Sequence, residues 1–359
     1  MTGPRFILIV KLSAIGDVVQ TFPMVEALRK NYPEARIDWL VEEEAADILM
    51  GHPALDRVIV SRRKSWQRNV LRKPRPTLRE IRDFVCSLRA REYDWVIDNH
   101  GVFKSGVMVL LCRGKRKIGF RATRKIADEG NYLFTRERYK PLDIETHAVE
   151  RYVDLASQLG VRTERPSLRF EVPPESRERA EQLLKENRCA SRPIVVVHPM
   201  AKWDTKQWPR ENFARLTAAL SARGASVVLT GSPADEAFVR EILSVAGEPS
   251  RAVNLAGKTG LRELAALFAL ADLVITTDTG PMHMAAAVQA PLIALFGPTA
   301  PWRTGPYGES AVVLRKTISC SPCFKRSCPT VDCMKSVSVE EVLEAALDKL
   351  ASRPDFKSN

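Results

Sequence analysis

The stretch 274–298 constrains the fold more than any other part of the chain. An apolar, strand-like run at 273–275 precedes a polar break, Thr277-Asp278-Thr279-Gly280, and a small-residue helix over 281–288 leads to a second apolar strand over 291–296. Gly and Pro at the helix start mark its N-terminus. Amide N–H groups and the helix dipole favour an anion at such a point. The stretch therefore predicts a β-loop-α-β unit of an α/β protein, with a loop that is either an anion site or an ordinary turn.

Strand-like and helical patterns alternate along the rest of the chain. In the first half, strands are predicted at 6–11, 36–41, 57–60 and 95–98, and helices at 18–31, 43–50, 78–89 and 102–112. After a proline-interrupted stretch at 162–174, strands are predicted at 194–198, 226–230 and 253–255, and helices at 176–186, 210–222, 234–245, 261–270 and 339–351. Apolar strands alternating with helices are typical of parallel sheets covered on both faces. The predicted fold class is α/β, with two doubly wound Rossmann-like domains facing across a cleft.

Charge is unevenly distributed over the 359 residues. The formal charge is +12, and residues 1–170 carry 32 Lys and Arg against 22 Asp and Glu, so ten of the net positive charges lie there. An anionic partner is therefore expected to meet the first half of the chain. No run approaches the ~20 apolar residues of a membrane span. The apolar run near the N-terminus is too short for a signal peptide, so we expect a cytoplasmic protein.

Four predicted loops at the carboxyl ends of strands contain unusual side chains. Ligands of doubly wound sheets bind at these ends. The loops are Ser13-Ala14-Ile15-Gly16-Asp17, the stretch from His198 to Pro209, the stretch from Thr230 to Asp235, and the stretch from Asp278 to His283. A fifth loop, after Val41, is simply acidic and indicates little.

Two of these regions resemble a known family. KLSAIGDVVQTFPMVEALR near the N-terminus and TTDTGPMHMAAAVQAPLIALFGPT near the C-terminus resemble the ADP-heptose lipopolysaccharide heptosyltransferases, glycosyltransferase family 9. Asp-Asn-His-Gly-Val-Phe-Lys at 98–104 and His147-Ala-Val-Glu-Arg151 resemble its heptosyltransferase I branch. The resemblance implies the GT-B fold, with an acceptor-binding domain at 1–170, a nucleotide-sugar domain at 171–335, and a C-terminal helix and tail at 336–359. No G-x-G-x-x-G follows the first strand, which argues against a nicotinamide-dependent dehydrogenase.

The resemblance implies inverting transfer of L-glycero-D-manno-heptose from ADP-heptose to a Kdo residue of the lipid A core. Inversion is a single displacement, which needs a general base but no covalent nucleophile, and Asp17 is the expected base. Its alternative role is to cap a helix. No cofactor or metal is expected, and the chain is expected to be a monomer that does not bind nucleic acid. One alternative is heptosyltransferase II or another family member with a different acceptor sugar. The other is a non-catalytic basic Rossmann protein that binds RNA or membrane.

The resemblance also implies a donor site in the second half. Its residues are Thr205, Lys206, Asp235, Asp278, Thr279, Gly280 and His283. Lys206 would stabilise the charge that develops on the leaving diphosphate, with the amides of Thr279 and Gly280 beside it, whereas Asp278 would bind sugar hydroxyls. The alternatives are a solvated lysine, carboxylates that cap local amides, and a histidine that packs beneath the loop.

The acceptor site is expected in the first half. Its residues are Ser13, Gly16, Arg62, Arg63, Lys64, Lys104 and Arg151. Between 62 and 91, 11 Lys and Arg face only Glu80 and Asp83, with Trp66 interleaved. Basic residues with an interfacial Trp suit the anionic inner face of the inner membrane, at about 1 kcal/mol per charge near the surface, so peripheral association there is expected. A solvated loop and a nucleic-acid surface are the alternatives.

Four of the seven cysteines form a cluster, Cys320, Cys323, Cys328 and Cys333. Four thiols this close in sequence could ligate a structural zinc. The spacing is tight for such a site, and reduced thiols in a proline-containing loop are the favoured interpretation. Disulfides are not expected in a cytosolic chain.

Overall fold

The computed structural model of the chain describes residues 3–122, 130–309 and 311–352. They fall into two units that divide between Ser167 and Leu168. Each unit contains one six-stranded sheet in which all recorded strand pairs are parallel. The predicted α/β class with two doubly wound sheets is confirmed.

The described residues of unit 1 form the first six strands and seven α-helices. The strands are β1 Phe6–Val10, β2 Arg36–Glu42, β3 Arg57–Ser61, β4 Glu92–Asp98, β5 Arg113–Phe120 and β6 Glu137–Tyr139. The helices are α1 Ile15–Val19, α2 Phe22–Asn31, α3 Glu43–Ala46, α4 Arg63–Asn69, α5 Pro74–Arg89, α6 Phe103–Leu111 and α7 Ala148–Gln158. The strand order is β3-β2-β1-β4-β5-β6, which is the order of a Rossmann sheet.

Unit 2 repeats this topology. Its strands are β7 Ile194–His198, β8 Ser226–Leu229, β9 Ala252–Asn254, β10 Leu273–Thr277, β11 Leu292–Phe296 and β12 Ala311–Arg315. Its helices are α8 Pro174–Glu186, α9 Arg210–Ala222, α10 Glu236–Val245, α11 Leu261–Leu270, α12 Gly280–Ala287, α13 Pro301–Thr304, α14 Asp332–Lys335 and α15 Val339–Ala351. The order β9-β8-β7-β10-β11-β12 places the topological switch point between β7 and β10, as it lies between β1 and β4 in unit 1.

The central strands form the core of each unit. β10 and β11 are buried at every position, and so are the last four residues of β1, because helices cover both faces of each sheet. α12 is buried from Pro281 to Ala287, and its alanines allow it to lie close to the sheet. α15 packs Val342 and Ala346 into the same core as β10 and β11. The end of the predicted tail, 353–359, lies outside the described residues.

The helix predicted over 18–31 is two helices, α1 and α2. α1 ends at Val19, and Pro23 then occupies the first turn of α2. Proline has no N–H and disrupts a helix interior, but it is well suited to a first turn. The Thr21 hydroxyl, between the two helices, donates to the Asp17 carbonyl at 2.8 Å. The break therefore leaves Asp17 in a short helix that follows β1.

Most of the basic stretch 62–91 is helical, so the solvated-loop interpretation is wrong. α4 was not predicted, and α5 begins at Pro74, before the predicted start at 78. Trp66 is buried, its ring centroid lies 5.1 Å from that of Phe84, and its Nε1 donates to Glu80 at 3.1 Å. The expectation of an interfacial Trp66 is therefore also wrong, because the indole joins α4 to α5.

The sequence patterns missed three of the described strands, β5, β6 and β12, and four of the described helices, α4, α7, α13 and α14. β6 is an edge strand of three residues, Glu137–Tyr139, and carries no apolar run. β5 is buried only over its last three residues, Ile118–Phe120. Their polarity hides β5 and β6 from a search for apolar runs. β12 is also an edge strand and was missed although it carries the apolar run 311–314, which is partly exposed along its length.

Candidate active site

Asp17 lies at the carboxyl edge of the unit 1 sheet, just after β1. Its Oδ2 accepts a hydrogen bond from the Ala14 amide at 3.1 Å, and its Oδ1 accepts one from the Tyr152 hydroxyl at 3.0 Å. Asp17 thus caps its helix, as the alternative interpretation held, and also binds a side chain 135 residues away. Tyr152 was not among the predicted site residues, although it directly follows Arg151 in the quoted motif.

Lys11 is a buried cation beside this carboxylate. Its Nζ donates to the Asn99 carbonyl at 3.0 Å and lies 3.9 Å from the centroid of the Tyr152 ring. Burial lowers the pKa of Lys11 to about 8, and the charge of Asp17 opposes this shift. Burial alone would raise the pKa of Asp17, but Lys11, the Ala14 amide and the Tyr152 hydroxyl hold that pKa below its ordinary value. The arrangement therefore keeps Asp17 ionised at neutral pH.

The loop after β4 completes the surroundings of Asp17. Burial, Lys11 and Lys104 lower the pKa of His100 to about 3, so its ring is neutral at pH 7. Asp98 is fully buried, and burial raises its pKa although the amides of His100 and Gly101 both donate to it at 3.1 Å. Asp98 therefore organises the turn, and Asp17 is the carboxylate that remains at the sheet edge.

The remaining predicted residues of unit 1 lie on the same edge. Lys104 Nζ donates to the Ser13 hydroxyl at 2.6 Å, and burial lowers the pKa of this lysine. Gly16 is buried within α1. The charge of Arg151, which lies beside Tyr152 on α7, also lowers the pKa of Lys11. Lys104 and Arg151 thus both act on Lys11, the cation beside Asp17, and Lys104 also binds Ser13.

The basic triplet Arg62, Arg63 and Lys64 pairs with the acidic loop predicted after Val41, which the structure shows as the end of β2, Glu42, and the start of α3, Glu43 and Glu44. Arg62 Nε lies 2.8 Å from Glu43, and Lys64 Nζ lies 2.6 Å from Glu44. Arg63 Nη2 lies 2.9 Å from Oε1 of Glu42, and Lys104 Nζ lies 3.5 Å from the same oxygen. The acidic loop, to which the sequence assigned no role, therefore holds the triplet in place through three ion pairs.

In unit 2, Lys206 forms a partly buried ion pair at the switch point. Its Nζ lies 2.6 Å from Oδ2 of Asp278, and the two side chains are 16% and 5% exposed. The Thr299 hydroxyl donates to the same Asp278 oxygen at 2.5 Å, and the Lys206 ammonium lies 4.5 Å from the centroid of the Trp203 ring. The interpretation of Lys206 as a solvated loop lysine is wrong. Thr299 and Trp203 were missed, since neither type of residue is diagnostic by itself.

The loop after β10 leads directly into α12. Thr279 is the N-cap residue with an extended backbone, Gly280 is the first helical residue, and the Met282 amide donates to the Thr279 carbonyl at 3.2 Å. His283 is buried within the first turn. The helix N-terminus thus lies beside Asp278, as the pattern predicts.

Two predicted donor-site residues have internal partners. The Thr205 hydroxyl is buried and donates to the Lys325 carbonyl at 2.7 Å. Asp235 Oδ2 accepts from the amide of Ser232 at 2.7 Å and from its hydroxyl at 2.6 Å, so it caps the start of its helical segment. Both side chains thus have structural partners within unit 2.

The four clustered cysteines are free thiols with unequal exposure. Cys320 is exposed and Cys333 is buried, while Cys323 and Cys328 are intermediate. Amide hydrogen bonds from Val331 and Thr330 lower the pKa of Cys328. Within residues 3–122, 130–309 and 311–352, no three His, Cys, Asp or Glu side chains form a group able to hold a metal ion.

No helix in the described ranges is long and apolar enough to cross a bilayer.

Two Rossmann-like units, with an ionised carboxylate after the first strand of one and a lysine at a helix N-terminus of the other, define a GT-B glycosyltransferase. The sequence model of glycosyltransferase family 9 (heptosyltransferase) matches residues 81–333, and the chain belongs to this family. It is therefore an enzyme, and the non-catalytic alternative is wrong.

Relatives and solved structures extend the likeness over most of the chain. Lipopolysaccharide heptosyltransferase 1 of Pseudomonas aeruginosa is 33% identical over 328 residues, which cover 90% of this chain and 87% of that protein. The Escherichia coli heptosyltransferase WaaC, solved with ADP, has a TM-score of 0.77 at 26% identity, covering 96% of this chain and 99% of that one. The Escherichia coli ADP-heptose LPS heptosyltransferase II has a TM-score of 0.76 at 26% identity, covering 96% and 98%.

Proposed function

We propose that this chain transfers L-glycero-D-manno-heptose from ADP-heptose to a Kdo residue of the lipopolysaccharide inner core, with inversion at the anomeric carbon. The observation that carries the proposal is the 33% identity to lipopolysaccharide heptosyltransferase 1 along 90% of the chain. Unit 1 binds the acceptor and unit 2 binds the donor. The contacts of Asp17 and Lys206 support the roles assigned to them below.

Asp17 acts as the general base. Its carboxylate is ionised in the free enzyme, and it stands at the sheet edge where ligands of this fold bind. A carboxylate with a lowered pKa is a modest base, which suffices when departure of the diphosphate drives the reaction and proton transfer is late. Tyr152 and the Ala14 amide orient the carboxylate without neutralising it.

Lys206 stabilises the leaving group. Negative charge builds on the ADP diphosphate as the glycosidic bond breaks, and a nearby ammonium lowers the energy of that state. In the free protein this ammonium pairs with Asp278. The donor therefore competes with Asp278 for the lysine, and the amides at the start of α12 add hydrogen-bond donors for the diphosphate.

Asp278 then becomes available to the sugar. When the diphosphate draws Lys206 away, Asp278 keeps its hydrogen bond from Thr299 and gains the capacity to accept from heptose hydroxyls. Thr205 and Asp235 contribute less directly, because their side chains already serve the Lys325 and Ser232 segments.

Unit 1 also provides a surface for an anionic membrane. Leu71, in the turn between α4 and α5, is 92% exposed, and Leu78 is 58% exposed among basic residues. These leucines, rather than Trp66, supply the apolar contact beside the positive charge. Leu71→Ser should reduce cosedimentation with phosphatidylglycerol vesicles, whereas Leu133→Ser, at a leucine that is 68% exposed elsewhere in unit 1, should not. Equal binding by both variants would remove this surface from the proposal.

The assay that tests the function is ADP release from ADP-heptose. Release should depend on added Kdo-lipid A, and mass spectrometry should show one heptose added to the acceptor. Release that requires an acceptor already carrying a heptose would instead support the heptosyltransferase II alternative, which the likeness to that structure keeps open. Absence of turnover with both acceptors would contradict the proposal.

A further inference from the structure

The cysteine-rich segment, residues 320–333, has no part in the proposed function so far, yet it lies at the carboxyl edge of the unit 2 sheet. The amides of Cys323 and Phe324 both donate to the carbonyl of Pro298, just beyond the end of β11, at 2.9 Å. Thr299, which follows Pro298, already belongs to the site described above. Because ligands of doubly wound sheets bind at this edge, the segment lies beside the place expected for the donor.

The same segment is attached to the loop that carries Lys206. The buried Thr205 hydroxyl donates to the Lys325 carbonyl at 2.7 Å. The next residue, Arg326, has its guanidinium carbon 5.0 Å from the centroid of the Trp203 ring. The ammonium of Lys206 lies 4.5 Å from the same centroid. The side chains of Arg326 and Lys206 therefore share one aromatic ring.

Arg326 is a cation without a neutralising partner in the described part of the chain. It is exposed, and it forms no ion pair or hydrogen bond with any described residue, whereas Lys206 is paired with Asp278. A guanidinium that stacks on an aromatic ring uses its face and keeps its N–H groups free to donate. Two cations held at one ring repel each other, and an anion between them relieves the repulsion. The arrangement therefore suits an anionic ligand.

The exchange of partners proposed for Lys206 creates a need for a second cation. When a diphosphate draws Lys206 away, Asp278, which is only 5% exposed, loses its positive partner. The carboxylate and the diphosphate would then share a single lysine. A guanidinium beside Lys206 offsets this excess of negative charge, and its planar fork can donate two parallel hydrogen bonds to phosphate oxygens.

We infer that Arg326 is a second diphosphate-binding residue of the donor site, presented by the cysteine-rich segment and oriented by Trp203. The inference rests on the proposed function, because it assumes an ADP-sugar donor in unit 2. It gives the cysteine-rich segment a role in donor binding that does not depend on its thiols.

Arg326→Ala tests the inference by calorimetry with ADP. It should raise the Kd of ADP about five- to fiftyfold, the effect of one lost charge-assisted contact, and leave the melting temperature unchanged, because the side chain is exposed. Arg326→Lys should restore only part of the affinity, since it keeps the charge but not the fork. Lys325→Ala is the matched control, because it removes a neighbouring exposed charge and keeps the carbonyl that binds Thr205. An unchanged Kd in Arg326→Ala, or equal shifts in the two alanine variants, would overturn the inference.

Adenosine distinguishes phosphate binding from a structural role of Arg326. Because adenosine has no phosphate, it should bind the wild type and Arg326→Ala equally well in a competition assay. Equal losses of affinity for adenosine and for ADP would show that the arginine only holds the segment in place, and would also refute the inference.

The same measurements separate this inference from the catalytic proposal. If the wild type binds ADP through Arg326 but transfers no heptose, the arginine keeps its assigned role and the proposed function fails. If heptose is transferred and Arg326→Ala binds ADP as tightly as Lys325→Ala does, the function stands and the role of Arg326 is refuted. A wild type that binds no ADP would contradict the inference as well.

Discussion

The two units carry a charged group after the first strand of each sheet, but they hold it in different ways. In unit 1, Asp17 lies among surplus cations, chiefly Lys11, with Lys104 and Arg151 nearby. In unit 2, Lys206 is matched by a single carboxylate, Asp278. The first arrangement stabilises the ionised carboxylate of Asp17 in the free enzyme. The second pairs the ammonium of Lys206 with Asp278 until an anion competes for the lysine. On the proposed function, Asp17 is thus a base that is already ionised in the free enzyme, and Lys206 is a lysine that changes partner.

Replacing the preformed base should give the largest effect. Asp17→Asn keeps the shape and an oxygen for the Ala14 amide, but it cannot accept the acceptor proton. We expect kcat to fall about a hundred- to ten-thousandfold, with normal binding of ADP-heptose in calorimetry. The thermal transition should remain cooperative. A variant that turns over within a few fold of the wild type would show that the cations around Asp17 serve structure alone.

Replacing Lys206, the lysine paired with Asp278, should have the next largest effect. Lys206→Ala should lower kcat about ten- to a thousandfold and weaken ADP binding, because the diphosphate loses its positive partner. Lys206→Arg should restore only part of the activity, since a planar guanidinium does not replace a point charge. Lys202→Ala, at an exposed lysine of the same loop, is the control and should leave kcat and ADP binding unchanged. Equal effects of the two alanine variants would mean that Lys206 contributes general electrostatics only.

One hydrogen bond to Asp17 can be removed while the carboxylate itself is kept. Tyr152→Phe deletes the hydroxyl that donates to Oδ1 but keeps the ring beside Lys11. The pKa of Asp17 should rise, because a hydrogen bond to its ionised form is lost, so the acidic limb of kcat/KM should move to higher pH. Activity at neutral pH should fall by less than about tenfold.

The control for this change is Tyr93→Phe. Tyr93 is also buried and donates to an aspartate, Asp38, at 2.8 Å, but its partner is not Asp17. Its pH profile should match the wild type. If the acidic limb stays in place in Tyr152→Phe, Tyr152 only packs against the loop and does not influence the charge of Asp17.

The basic triplet should show the smallest effects, and these should differ between neighbours. Arg63 contacts Glu42, which is 3% exposed, so Arg63→Ala should lower the free energy of unfolding by about 1–3 kcal/mol. Arg62 pairs with the more exposed Glu43, so Arg62→Ala should leave the melting temperature unchanged and raise only the acceptor KM, by a few fold. Chemical denaturation and steady-state kinetics measure the two effects. Identical stability losses would contradict this distinction.

Local patterns in the sequence were sufficient for the architecture. α9, α11 and α15 have the predicted bounds, and β7 likewise, because apolar periodicity and helix caps are read within a few residues. The loops after β1 and β10 were predicted as sites for the same reason, since a strand, a polar break and a helix start are contiguous in sequence. β5 and β6 were missed because their polar residues leave no apolar run that identifies a strand, whereas the edge strands β3 and β9 were predicted.

Only the tertiary structure decided which charges meet. Tyr152 reaches Asp17 across 135 residues, Lys206 pairs with Asp278, and the acidic loop after β2 pairs with the triplet after β3. The Lys206–Asp278 contact follows from the strand order, which makes β7 a neighbour of β10, and the triplet meets the glutamates because β2 is a neighbour of β3. Tyr152 reaches Asp17 from α7, which packs against α2. Composition alone suggested free basic residues and an interfacial Trp66, yet burial and ion pairing depend on which crossover brings each loop to the sheet edge. Short-range periodicity determined the elements of this protein, and the long-range order of its strands determined the chemistry of its site.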